Sequence, residues 1–165
     1  MMYYLAYGSN LSMKQMADRC PGAVPIGTAR INGYRLLFKG SRSGSYLTIE
    51  KDKESQVPVV VWKIDKYDEL RLDRYEGCPT FYYKDNMKVD VSSFLDDRHP
   101  QKIDAIIYIM HEERKLGCPS FQYYDTCLEG YCRFGFDPAI LRKALGDSVG
   151  KRLATRMLRE VGYDE

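Results

Sequence analysis

Apolar and polar positions change period several times along the chain, and each change marks an element. Met2–Tyr7 is an apolar and aromatic run that reads as a first strand, broken by Gly8-Ser9-Asn10. Met13, Met16, Ala17 and Cys20 recur at helical spacing and predict a helix with those residues on its buried face. Ser12 and Gln15 fit an S-x-x-Q capping box at its start, and Pro21-Gly22 ends it. Four strands follow, Ala23–Ile31, Tyr34–Lys39, Ser45–Glu50 and Val57–Ile64, separated by Gly-, Ser- or charge-rich turns. Val59-Val60-Val61-Trp62 is continuously apolar, the pattern of a central strand covered on both faces. Asp65 can cap a short helix running to about Glu76, closed by Gly77 and Pro79.

Beyond that point Met87, Val89 and Val91 alternate with Lys88 and Asp90 as a half-buried strand, and Asp104–Met110 reads as another. Phe121–Arg133 has a helical pattern. Asp137-Pro138 supplies an N-cap and a proline at the first helical position of a further helix, which Gly146 and Gly150 are expected to interrupt. Lys151–Val161 reads as a last helix. Many strands with few helices and no strict alternation predict an α+β fold: a compact, mixed, β-barrel-like sheet flanked by helices. Residues 1–146 form the expected domain, and residues 147–165 a C-terminal helical extension of it.

Composition narrows the function classes. Charged residues make up 29% and hydrophobic residues 44%, a globular balance. The net charge is +2, and it sits in residues 138–165, where six basic side chains face four acidic ones. That excess is too small to argue for nucleic acid or a membrane surface. Arg152, Arg156 and Arg159 read as a solvated helix face. Five cysteines with no CxxC spacing give neither a disulfide framework nor a zinc signature, and His99 and His111 stand far apart. The N-terminal residues show no secretory pattern, and no apolar run approaches the roughly 18 residues of a membrane span. The expectation is a cytoplasmic protein that needs no metal or cofactor, a monomer or homodimer.

Three segments can carry chemistry. In Tyr7-Gly8-Ser9-Asn10-Leu11 a strand stops, a glycine turns the chain and a helix starts, so backbone N–H groups converge where a carboxylate or phosphate can sit. Taken alone, it is an ordinary strand–helix turn. In Leu72-Asp73-Arg74-Tyr75-Glu76-Gly77 a carboxylate falls at a helix C-terminus beside an aromatic ring. Both features disfavour its charged form and would raise its pKa toward the range of a general base, although an exposed glutamate is the commoner fate. In Pro119-Ser120-Phe121-Gln122-Tyr123-Tyr124, with Gly130 seven residues after Tyr123, two adjacent tyrosines must point in different directions, so at most one lines a pocket.

The ordered set resolves these readings. YGSN after a strand, then L-D-x-x-E-G, then P-S-x-Q-Y followed by a glycine resembles the γ-glutamylcyclotransferase-like family over roughly Tyr3 to Ala144. The resemblance implies that family's compact mixed barrel. It also implies that Tyr7, Gly8, Ser9, Asn10 and Leu11 hold a γ-glutamyl group, that Glu76 is the acid/base residue and that Tyr123 lines the pocket. The implied reaction is intramolecular: the substrate's α-amine attacks its own γ-carbonyl, 5-oxoproline closes and the distal amine or amino acid leaves. No outside nucleophile is required, in keeping with a sequence that offers no convincing Ser–His–Asp or Cys–His set. Two other readings remain at this point: a non-catalytic protein that binds γ-glutamyl-like ligands, and an interaction module working through the C-terminal helix.

Overall fold

The structure, a computed structural model, describes residues 1–163. The chain runs through β1 (Met2–Ala6), a single 3-10 turn (Ser9–Leu11), α1 (Met13–Arg19), β2 (Val24–Ser41), β3 (Gly44–Ile64) and α2 (Lys66–Tyr75). It continues through β4 (Tyr82–Ser93), β5 (Gln101–Met110), the short β6 (Lys115–Leu116), α3 (Phe121–Arg133), α4 (Pro138–Val149) and α5 (Lys151–Glu160). β3 pairs with β1, β1 with β5, β5 with β4, β4 with β2, and β2 returns to β3. Five strands therefore close a mixed barrel, with β6 added to β2 from outside. β1 and β5 are the parallel pair. The α+β expectation holds.

The core follows the apolar pattern. Val59, Val60 and Val61 are 0% exposed and Trp62 is 1%, so this stretch of β3 is covered on both faces, flanked by β1 and β2. Each such side chain contributes about 1.5–3 kcal/mol by leaving water.

Four of the expected strands are in fact two. β2 runs unbroken from Val24 to Ser41 and β3 from Gly44 to Ile64. Gly33, at φ 79°, absorbs a register shift between Asn32 and Tyr34 instead of ending β2. The polar stretch opposite bulges outward: Tyr34 faces Lys51 and Asn32 faces Gln56. Asp52 closes that bulge through Ser55 Oγ at 2.8 Å and Glu54 N at 3.1 Å. A hairpin paired on both sides of a bulge gains more than one that stops at it, so tertiary pairing overrides the local turn signal.

Smaller corrections have similar causes. On α1, Met16 and Cys20 are buried and Met13 half-buried, but Ala17 faces solvent. Ser12 Oγ does accept from Gln15 N at 3.3 Å, while Gln15 Oε1 makes no return bond and is buried without a partner. Gly146 does not interrupt α4, which continues to Val149; only Gly150, at φ 85°, breaks the chain. An interior glycine costs a helix about 1 kcal/mol. Packing of α4 on β2, including Ser148 Oγ accepting from Phe38 N at 2.8 Å, outweighs it. The division after residue 146 thus falls inside α4, and the end of the 147–165 extension, residues 164–165, lies outside the described residues. Tyr163 reaches back to α3, its hydroxyl donating to Asp125 and its ring lying 6.0 Å from that of Phe121.

Candidate active site

The three segments singled out in the sequence meet at one end of the barrel. β1 delivers Tyr7–Asn10, the C-terminus of α2 delivers Glu76, and the first turn of α3 delivers Tyr123. They enclose a cavity of about 250 Å³ whose other walls are Tyr4, Tyr46, Leu47, Tyr75, Phe81, Tyr82 and Tyr108. It lies beside the Gly44–Glu50 half of β3, where that strand pairs only with β2.

Glu76 is placed by helix termination. Asp65 caps α2 in a reciprocal box with Asp68, and Glu76 is the C-terminal cap residue. Gly77 follows at φ 61°, a left-handed conformation that suits glycine. Its N–H bonds Arg74 O at 3.3 Å, while Cys78 N bonds Asp73 O at 2.9 Å, completing a Schellman closure. The closure leaves the half-buried Glu76 at the wall of a cavity lined largely by tyrosines. Burial pushes the carboxyl up from 4.5 to about 7; the nearby Arg19 guanidinium opposes that rise.

A second anchor comes from Asp73 on the same helix. It accepts the Tyr108 hydroxyl at 2.5 Å and pairs with Lys84 at 2.8 Å, and Lys84 also reaches Glu69 at 2.6 Å. α2 is thereby tied to β4 and β5, the far wall of the cavity.

The loop is shaped by a 3-10 turn rather than by the start of a long helix. Leu11 N bonds Gly8 O at 3.0 Å and Ser12 N bonds Ser9 O at 3.0 Å, so the N–H of Leu11 does not face the cavity. Leu11 is 0% exposed and is absent from the lining; it supports the turn from behind. Asn10 points the other way. Its Nδ2 donates to Tyr4 Oη at 2.9 Å and approaches Glu76 Oε1 at 3.4 Å. Its orientation is set by Arg19, which donates to Asn10 Oδ1 and, at 3.2 Å, to Ser9 Oγ. A guanidinium has donors only, so the Asn10 oxygen must face it and the amide nitrogen must face the cavity. Arg19 itself lies 3.6 Å from the Tyr75 ring centroid, within cation–π reach.

Tyr123 and Tyr124 separate as their adjacency requires. Tyr124 is 1% exposed and packs against Phe38, whereas Tyr123 lines the cavity. The Tyr123 hydroxyl accepts Leu47 N at 3.0 Å, and the Tyr82 hydroxyl donates to Leu47 O at 2.8 Å. Two tyrosines thus satisfy the open edge of β3. Tyr123→Phe leaves a buried N–H without its acceptor and is expected to cost about 1–3 kcal/mol, read as a lower urea midpoint at unchanged m-value.

Sequence reasoning missed Arg19, Tyr4, Tyr82 and Tyr108. Arg19 carries no local signal, since a basic residue in the last turn of a helix ordinarily just complements the macrodipole. The tyrosines belong to strands whose neighbours in space are remote in sequence. Their abundance, 14 in the chain, was the one available hint of a polar aromatic pocket. Among the described residues, no three His, Cys, Asp or Glu side chains are grouped to hold a metal, and no helix is long and apolar enough to cross a membrane.

A closed mixed barrel thus ends in a small cavity where a half-buried glutamate faces a strand–turn loop. The family model described as Gamma-glutamyl cyclotransferase, AIG2-like matches residues 4–127, and the chain belongs to that family. Gamma-glutamylcyclotransferases of Bos taurus and Homo sapiens are 32% and 33% identical to it over 127 residues. The match spans 73% of this chain and 64% of each relative, less than two thirds of the relatives' length. A solved structure of a gamma-glutamyl cyclotransferase superposes with a TM-score of 0.75 at 25% identity, covering 96% of this chain and 98% of its own. A crystal structure of an uncharacterized protein from Homo sapiens gives 0.70 at 27% identity, over 87% and 85%.

Proposed function

We propose that the protein is a γ-glutamylcyclotransferase that releases 5-oxoproline from a γ-glutamyl amino acid or amine, with Glu76 as the acid/base. The observation that carries this reading is the Glu76 carboxyl, pushed up to about 7 by burial and set 3.4 Å from Asn10 Nδ2 in the cavity that the Gly8–Asn10 loop encloses.

The cavity, at about 250 Å³, lies below the ~300–1,000 Å³ usual for drug-sized ligands, which suits a compact γ-glutamyl compound. Cyclisation needs three things from the protein. The first is a bent substrate, with its α-nitrogen against its γ-carbon; a small, aromatic-walled space favours that conformer, and proximity of this kind lowers barriers substantially. The second is removal of a proton from the α-ammonium, because a protonated amine has no lone pair to attack with. A carboxylate of ordinary pKa is too weak a base, and one near 7 is matched to the task. As the C–N bond forms, the carbonyl electron pair moves to oxygen. The third is collapse of that intermediate, which breaks the bond to the distal nitrogen as Glu76 returns the proton to it. The ring nitrogen still carries one proton more than an amide holds and yields it to the departing amine, so the products are 5-oxoproline and the released amine or amino acid as its ammonium form.

Arg19 tunes this base. It lowers the Glu76 pKa and holds Asn10 in place, so Arg19→Met is expected to move the acid limb of the pH–rate profile to higher pH. Arg19→Lys keeps the charge and recovers most of that movement. An acid limb unmoved in the methionine variant would separate Arg19 from Glu76.

The direct test is 5-oxoproline release from a panel of γ-glutamyl amino acids and γ-glutamyl amines. Release establishes the reaction and ranks the substrates; silence across the panel, with binding retained, turns the reading to a ligand-binding protein.

A further inference from the structure

Seven tyrosines line the cavity, and their hydroxyl protons can be assigned by elimination. Tyr7 donates to Tyr108 O at 2.5 Å, Tyr82 to Leu47 O at 2.8 Å and Tyr108 to Asp73 at 2.5 Å. Tyr123 has the Cys127 thiol as a side-chain partner besides the Leu47 N–H. Tyr46 and Tyr75 are 38% and 49% exposed and reach water at the mouth. Tyr4 differs from all of them. It is 4% exposed, and its oxygen accepts a hydrogen bond from Asn10 Nδ2 at 2.9 Å. Among the described residues its hydroxyl donates to no protein acceptor.

A phenol that accepts from one side must direct its O–H elsewhere, and around Tyr4 the unfilled direction is the cavity it lines. Its ring is fixed by edge contact with Tyr108, with centroids 5.8 Å apart. Burial, with the Glu76 charge nearby, also holds the Tyr4 pKa far above its ordinary value, so the hydroxyl keeps its proton wherever the enzyme works.

Position completes the case. Tyr4 Oη and Glu76 Oε1 both lie within 3.4 Å of one nitrogen, Asn10 Nδ2. In the cyclisation, the atom that Glu76 deprotonates is the attacking nitrogen, and the oxygen that gains negative charge is two bonds away from it. A donor for that oxygen must therefore be an immediate neighbour of the base, which Tyr4 is.

We infer that Tyr4 is the side-chain oxyanion donor of this site, its hydroxyl held by Asn10 and aimed at the γ-carbonyl oxygen as the ring closes. The inference rests on the cyclotransferase reading. It assigns stabilisation of the tetrahedral oxygen to a neutral phenol beside the base, acting only as charge develops.

The test is steady-state kinetics of 5-oxoproline release by wild type, Tyr4→Phe and a variant with p-aminophenylalanine at position 4, each checked for folding by near-UV circular dichroism. Losing one oxyanion donor is expected to lower kcat roughly 10²–10³-fold with KM nearly unchanged. The aminophenylalanine variant keeps an N–H donor in place and should recover part of the loss. The acid limb near pH 7 should stay where it is in both, because Glu76 is untouched. A folded Tyr4→Phe with wild-type kcat, a loss confined to KM, or an aminophenylalanine variant no faster than phenylalanine overturns the role given to Tyr4 and leaves the cyclotransferase standing. A wild type that releases no 5-oxoproline removes both.

Discussion

Glu76→Gln is expected to lose 5-oxoproline release by about 10²–10⁴-fold while the protein becomes more stable at alkaline pH. The two effects have one cause. Burial pushes the Glu76 carboxyl from 4.5 to about 7, which makes it a competent base and also makes its charged form costly to fold around. The native state binds the Glu76 proton more tightly than the unfolded chain does. Below about pH 4.5 both states are protonated and nothing is lost. As pH rises toward 7 the unfolded state gains the charge freely while the native state resists it, so stability falls. Above 7 the cost is complete, roughly 3 kcal/mol from the separation of the two values. Glutamine is neutral throughout and escapes it. Urea melts of the two proteins should therefore agree near pH 4, and at pH 8 should differ by up to that amount in favour of the variant. Wild-type activity should rise through pH 7 as Glu76 ionises. Release by the glutamine variant equal to that of wild type would keep the reaction and remove Glu76 from its centre.

How much of this was legible in the sequence depends on the range over which each signal acts. Local signals served well. The Asp65 and Asp137 caps, the Gly77 stop and the Phe121–Arg133 helix are fixed by nearby residues, and the structure has them there. The continuous Val59–Trp62 run reports burial directly. Local signals failed where pairing partners are distant. The polar 51–56 stretch looks like a connection, yet β2 continues opposite it and holds it as a bulge. The YGSN loop shows the same limit: the helix capped by Ser12 does begin just after it, but the 3-10 turn within the loop carries no local signal. Its single 3-10 turn is shaped by α3, which packs against it from more than a hundred residues later. Glu76 and the loop could be proposed as partners from motif order alone. Their link through Asn10, and the placing of Asn10 by Arg19, could not, because no periodicity relates a strand end, the last turn of one helix and the cap of another.

Gly130 shows how far such a long-range constraint reaches, and Gly130→Ala is expected to damage both fold and activity. By helix propensity alone the substitution should help, since alanine is favoured over an interior glycine by about 1 kcal/mol. The packing reverses the sign. A Cβ at position 130 would lie 2.4 Å from Leu11 Cβ and 3.3 Å from the Leu11 carbonyl carbon, and Leu11 is fully buried with nowhere to turn. Either α3 or the 3-10 turn must move. Overpacking of this kind costs about 1–3 kcal/mol. The turn carries Ser9 and Asn10, and α3 carries Tyr123, so whichever moves, one wall of the cavity shifts against Glu76. A displacement of about 1 Å at a positioned catalytic group can cost 10²-fold in rate. Gly146→Ala is the control: its nearest neighbour, Lys151 Cγ at 4.0 Å, leaves room, and there propensity should prevail and raise the melting temperature. Opposite signs for one substitution in two helices would show that Gly130 is present for the close approach of α3 to the YGSN loop. A neutral or stabilising Gly130→Ala with full activity would mean that the loop tolerates displacement, and that its geometry is held from the Arg19 side alone.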